Sequence, residues 1–113
     1  MRLEAKKYLH DIKQAAGLLA EFTAGKAFAD YARDAMLRAA VEREFEIIGE
    51  ALARLAKLDE SLASRIGDYR RIVAFRNILI HGYAEVDGRL VWDVVETKLP
   101  VLRREVALLL EGE

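Results

Sequence analysis

Along this chain apolar residues return every three or four positions, the spacing of one buried face on an α-helix. Leu9, Ile12, Ala15, Ala16, Leu19 and Phe22 make the first such stripe. Thr23-Ala24-Gly25-Lys26 then reads as a helix stop, with Gly25 free to take the left-handed cap conformation. A longer stripe runs from about Asp34 to Leu58 through Leu37, Ala40, Val41, Ile48, Ala51, Leu52 and Leu55, and Asp30 or Asp34 is placed to cap its start. A short helix is predicted over 61–66 and stopped by Gly67. Asp68 is a good N-cap for the next helix, whose buried side should hold Ile72, Phe75, Ile78 and Leu79 and which should end near Gly82. Glu85-Val86-Asp87-Gly88 reads as a turn, with Asp87 as a cap for the last helix. That helix carries the stripe Trp92, Val95, Leu99, Leu102, Val106 and Leu109. Pro100 falls inside it and should kink or interrupt the helix, because it lacks an N–H and its ring collides with the carbonyl four residues back. No stretch reads as a strand. The expected fold class is all-α, an antiparallel bundle of about four to five helices. A chain of 113 residues fits one such helical domain over 1–113.

Composition narrows the picture. Apolar residues make up 53% of the chain and charged ones 33%, which supplies both a core and a solvated surface and argues against disorder. Eighteen basic and nineteen acidic side chains leave a formal net charge of -1, so the chain as a whole carries no basic coat for nucleic acid. There is no cysteine, which excludes disulfides and thiolate metal sites and makes a reducing cytoplasm the natural compartment. The charges scattered through Met1-Arg2-Leu3-Glu4-Ala5-Lys6-Lys7 do not read as a signal peptide, and no segment has the apolar length of a membrane span. With two histidines and no compact His/Glu pattern, nothing suggests a metal site.

The chemistry concentrates in Arg76-Asn77-Ile78-Leu79-Ile80-His81-Gly82-Tyr83. A planar cation, a carboxamide, a group that titrates near neutrality and a phenol occupy eight residues. At about 100° per residue, Tyr83 returns to within roughly 20° of Arg76, and Asn77 and His81 lie about 40° apart. Arg76 and His81 diverge by roughly 140°. A long arginine side chain, a distorted helix end or a second subunit is needed to bring them to one phosphate. The neighbourhood is basic: Arg65, Arg70, Arg71 and Arg76 share it with Asp68 as the single acid, and Arg70 and Arg71 are candidate phosphate contacts.

The spacing Arg-Asn-x-x-x-His-x-Tyr on a penultimate helix resembles the signature of the HEPN superfamily, and specifically the short HepT-type toxins that pair with minimal nucleotidyltransferase (MNT) antitoxins in type VII systems. Glu42-Arg43-Glu44-Phe45-Glu46-Ile47-Ile48-Gly49-Glu50-Ala51 is similar to that family's long helix, and so is Val91-Trp92-Asp93-Val94-Val95 followed by Leu99-Pro100. The resemblance covers most of the chain. It implies an all-helical homodimer with the Arg and His motif at a cleft between subunits, a metal-independent endoribonuclease without a cofactor, and an antitoxin that transfers AMP to Tyr83. On that reading His81 is the general base or acid, since a histidine titrates near about pH 6.5. Arg76 clamps the phosphate and stabilises the charge of the transition state. Asn77 orients His81 or the phosphate, and nucleotide added at Tyr83 blocks a cationic pocket with bulk and negative charge.

Blander readings of the same residues set the alternatives. His81 at a helix end can simply meet free carbonyls, Glu46 and Glu50 can be surface ion-pair partners of neighbouring arginines, Trp92 can be core, and His10 can be surface. A competing function is a non-catalytic helical module that docks a nucleotidyltransferase and holds its nucleotide or substrate; it would use Arg76 for phosphate and would not need His81. A third is a plain dimeric scaffold.

Overall fold

The apolar stripes fold into helices that share one core. The computed structural model describes residues 1–82 and 86–112. The first stripe is α1 (Leu3–Thr23), and Gly25 takes the predicted positive φ, 72°, at the turn that ends it. A short helix that the stripe pattern does not show, α2 (Phe28–Arg33), comes next, with Asp30 Oδ2 accepting from the Ala27 N–H at 2.8 Å. Of the two candidate caps, Asp34 is the one that starts the long helix α3 (Ala35–Leu58), accepting from the Leu37 N–H at 3.0 Å. The short helix α4 spans Glu60–Ala63, capped by Asp59, and is briefer than the stretch expected. Then come α5 (Tyr69–His81) and α6 (Gly88–Asp93), the latter capped by Asp87 through the Arg89 and Leu90 N–H groups. A π-helical stretch (Val94–Lys98) leads into α7 (Leu99–Glu111). Among the described residues no strand occurs.

The π turn is the form that the proline's interruption takes. Leu99 donates its N–H to the Val94 carbonyl, five residues back, which widens the turn just before Pro100. The wider turn is one way a helix accommodates a ring that would otherwise strike the carbonyl four residues back.

Helix α3 organises the bundle, with both α1 and α5 packed against it and α7 laid against α1. Short connections make sequential neighbours antiparallel. The Cα envelope of 42 × 29 × 19 Å has the thickness of two helix layers set about 8–10 Å apart. Leu9, Ile12 and Leu19 of α1, Val41, Phe45, Ile48, Leu52 and Leu55 of α3, and Val106 of α7 have essentially no exposed surface. Phe45 meets Phe75 edge to face with centroids 5.2 Å apart, which fixes α5 on α3 one residue before Arg76. Trp92 is core, buried beside Tyr31 at 5.3 Å.

Two expectations about α5 change. Asp68 holds the N-cap position but makes no side-chain hydrogen bond to the helix; its carboxylate pairs with Lys98 at 3.3 Å and Arg71 at 3.9 Å instead. Ile78 is 48% exposed, while Ile72, Phe75 and Leu79 are buried. Those three point within about 60° of one another, whereas Ile78 sits about 100° from Leu79, at the stripe's edge, where α3 does not reach. Tyr83 and Glu85, in the predicted site and turn, lie outside the described residues.

Candidate active site

Arg76 lies on the face of α5 that crosses α3 at Gly49. Gly49 is buried, and a Cβ at that position would overlap the Cβ and Cγ of Arg76. A glycine inside a helix costs roughly 1 kcal/mol against alanine. Here it lets the arginine's apolar stem lie directly on the α3 backbone. The side chain is consequently 16% exposed although it carries a full charge. Its fork is occupied: Nη2 donates to Glu50 Oε2 at 2.5 Å and Nη1 to Asn77 Oδ1 at 2.9 Å. Nε is buried with no hydrogen-bond partner among the described residues.

Glu50 is shared. Its Oε1 accepts from Arg54 Nε at 2.8 Å, one turn along α3. The Arg54 hydrogen bond, followed by the charge of Arg76, holds the Glu50 carboxyl below its usual range. The result is a network, Arg54–Glu50–Arg76–Asn77, that spans two helices and fixes the guanidinium before any ligand arrives. Glu46, the other acid weighed on α3, pairs with Arg43 at 3.5 Å.

Of the other candidates, Asn77 is exposed and its Oδ1 accepts from Arg76 Nη1. His81 is the last residue of α5 and is exposed, with Gly82 closing the helix through a 2.7 Å bond to the Ile78 carbonyl. Arg70 and Arg71 are exposed and line a hollow of about 380 Å³ at the start of α5 with Ser64 and Asp68. Neither is free: Arg70 has Glu60 at 3.8 Å and Arg71 has Asp68 at 3.9 Å. Among the described residues no group of three His, Cys, Asp or Glu is arranged to hold a metal ion, and no helix is long and apolar enough to cross a membrane.

Sequence reasoning did not assign Gly49 or Glu50 to Arg76. A trace was present. A glycine at the edge of the apolar stripe of a long helix signals close approach by another element. Which element approaches cannot be read from spacing.

An all-α bundle with an arginine and a histidine on its penultimate long helix is the arrangement that the motif implied. Comparison with known proteins agrees: residues 12–109 match the family model described as ribonuclease HepT-like. The chain belongs to the HepT-like ribonuclease family, of the HEPN superfamily. A protein of Thermococcus cleftensis named Probable ribonuclease HepT is 37% identical over 91% of this chain and 93% of its own length. Two more, both named provisionally as RNases, come from Methanocaldococcus jannaschii (34% identical, over 93% and 95% of the two chains) and Caldanaerobacter subterraneus subsp. tengcongensis (33% identical, 96% of each). No solved structure matches the chain.

Proposed function

We propose that this protein is the ribonuclease toxin of a type VII HEPN/MNT pair, cutting RNA without a metal ion and silenced by AMP transfer to Tyr83. The observation that carries the reading is the preset guanidinium of Arg76, held on Gly49 between Glu50 and Asn77, on the helix that ends in the exposed His81. Membership of the ribonuclease family supports it. RNA brings its own nucleophile. His81 takes the proton of the ribose 2′-OH, the 2′ oxygen attacks phosphorus, and the bond to the 5′ oxygen breaks as that oxygen acquires a proton. The products are a 2′,3′-cyclic phosphate and a 5′-hydroxyl. Arg76 stabilises the charge gathered on the non-bridging oxygens, which requires phosphate to replace or join Glu50 at Nη2.

A homodimer is part of the proposal. Ile78, Ile80 and Leu90 are exposed apolar residues, and Ile78 and Leu90 line a largely apolar groove of about 280 Å³ with Ala74, Phe75 and Val94. A second copy packed there would cover the groove. A monomer by light scattering, with Ile78→Asp indistinguishable from the parent, contradicts this part.

The test of the activity is cleavage of a defined RNA in the presence of chelator, with analysis of the ends. Cyclic phosphate formed by the parent and lost in both Arg76→Ala and His81→Ala supports the enzyme. The alternative is the non-catalytic binding module, which would use Arg76 for phosphate and would not need His81. That reading is preferred if the parent cuts no RNA yet forms a stable complex with a nucleotidyltransferase. Intact mass after co-expression with that enzyme measures AMP addition, and Tyr83→Phe should abolish it.

A further inference from the structure

Six cations on or beside α3 and α5 have a carboxylate within ion-pair distance, while several others, three of them clustered at one hollow, have none among the described residues. Arg43, Arg54, Arg70, Arg71, Arg76 and Lys98 each have a carboxylate within ion-pair distance. Lys13 on α1 and Arg103 and Arg104 on α7 take part in none of the ion pairs or hydrogen bonds among the described residues. These three rim one hollow of about 390 Å³ between α1 and α7, whose other lining residues are Gly17 and Ala107.

The construction is regular. On α1 a cation is followed one turn later by a residue with no side chain, Lys13 then Gly17. On α7 Arg103 and Arg104 are followed one turn later by Ala107. The small residues make a floor and the long side chains a rim. A Cβ at Gly17 would have no neighbour within 4 Å, so the notch is open to solvent rather than filled by packing. Among the described residues no carboxylate lines this hollow. It continues across Gly17 and Lys13 into a second hollow of about 510 Å³, where His10 and Gln14 add polar groups and Glu21 supplies an acid.

We infer that this groove binds the phosphodiester backbone of RNA away from the site of cleavage. The inference rests on the proposed ribonuclease activity for its choice of polyanion. Arg103 and Arg104 are adjacent in sequence and leave the helix about 100° apart, so they serve separate phosphates better than they converge on one. The hollow's extension past Lys13 suits a strand rather than a single ion. In a chain of net charge -1, three unneutralised cations on one face make a local attraction that the total charge conceals.

The experiment is RNA binding by the full chain, measured by fluorescence anisotropy of a single-stranded oligonucleotide at several salt concentrations. The variants are Arg103→Glu/Arg104→Glu and Lys13→Glu, with Arg2→Glu/Lys26→Glu as a control for net charge. The groove double variant should bind at least tenfold more weakly than the control at about 150 mM salt. Its slope of log K against log salt should fall by about 1.4, from roughly 0.7 per single-strand phosphate contact. Arg103→Lys/Arg104→Lys should recover most of the affinity. In cleavage assays KM should rise and kcat stay near the parent's. If the groove variants bind RNA as the control does while the parent binds and cuts, the groove is refuted and the ribonuclease reading stands. If the parent neither binds nor cuts RNA, both fall. RNA binding retained while association with an acidic protein is lost would overturn RNA as the occupant.

Discussion

The two basic regions of this molecule handle charge in opposite ways. On the α3–α5 face, Arg76 is mostly buried, its stem lies on Gly49 and its fork is held by Glu50 and Asn77. On the α1–α7 face, Lys13, Arg103 and Arg104 are exposed and, among the described residues, unpaired over a floor of small residues. A preset guanidinium loses little conformational entropy when a transition state forms and suits a fixed geometry. Free, mobile cations add affinity and on-rate but dictate no geometry. On the proposed reading, one face does the cutting and the other does the holding.

The contrast is tested most severely at the motif. Arg76→Ala and His81→Ala should each lower the rate of RNA cleavage by about 10² to 10³-fold, the range for losing a transition-state donor or a general base. His81→Ala should leave the melting temperature in place, since the residue is exposed at a helix end. Equal cleavage by either variant and the parent would remove that residue from the chemistry.

Gly49→Ala comes next. The new methyl overlaps the Cβ and Cγ of Arg76, atoms too close to the α5 backbone to swing aside, so α3 and α5 must separate. Overpacking of this kind costs about 1–3 kcal/mol, several degrees in Tm for a domain of this size, and cleavage should fall with it. The corresponding change on the other face, Gly17→Ala, meets nothing and should raise the Tm slightly, by gaining helix propensity of up to about 1 kcal/mol. Similar melts for the two variants would show that the faces do not differ in packing.

Acid separates the faces more gently. Glu50 has a folded-state carboxyl titration below its ordinary value, so its ionised form stabilises the fold above that value and the contribution disappears as the pH falls through the folded one. Glu50 is 48% exposed, so the effect should not exceed about 1 kcal/mol. Melts of the parent and Glu50→Gln across a range from neutral to acid pH should differ at neutrality and converge in acid; a constant gap would mean that the pairing does not depend on charge.

Alkali tests the core beneath α6. Tyr31 has no exposed surface and its hydroxyl has no partner among the described residues. Burial first, then the charge of Glu42, pushes it up to about 12. The folded state keeps a proton that the unfolded chain releases from its ordinary value of 10.0 upward, so stability should fall between those two values. Tyr31→Phe should flatten that decline and change stability at neutral pH by no more than about 1 kcal/mol, because a hydroxyl without a partner contributes little.

Much of the fold was legible in the residues. The stripes of α1, α3, α5 and the 88–111 segment were readable because an amphipathic helix writes its burial at a fixed period, and Asp34, Gly25 and Asp87 do at the helix ends what such residues do locally. The failures have tertiary causes. Asp68 left its cap for Lys98, thirty positions along the chain. Ile78 is apolar at the stripe's edge, and only the position of α3 decides that it stays outside.

By itself the sequence determined the helical class, the helix ends set by local hydrogen bonding, and the motif that marks the family, because each depends on residues within a few turns of one another. Tertiary structure alone decided what meets Arg76 and which cations gather between α1 and α7. Pairs such as Arg54–Glu50 and Arg71–Asp68 follow helical spacing, but the partner of Arg76 depends on which carboxylate another helix brings within ion-pair distance, and that has no period in the chain. The fold placed Glu50 on Arg76 and, among the described residues, left Lys13, Arg103 and Arg104 without an acid.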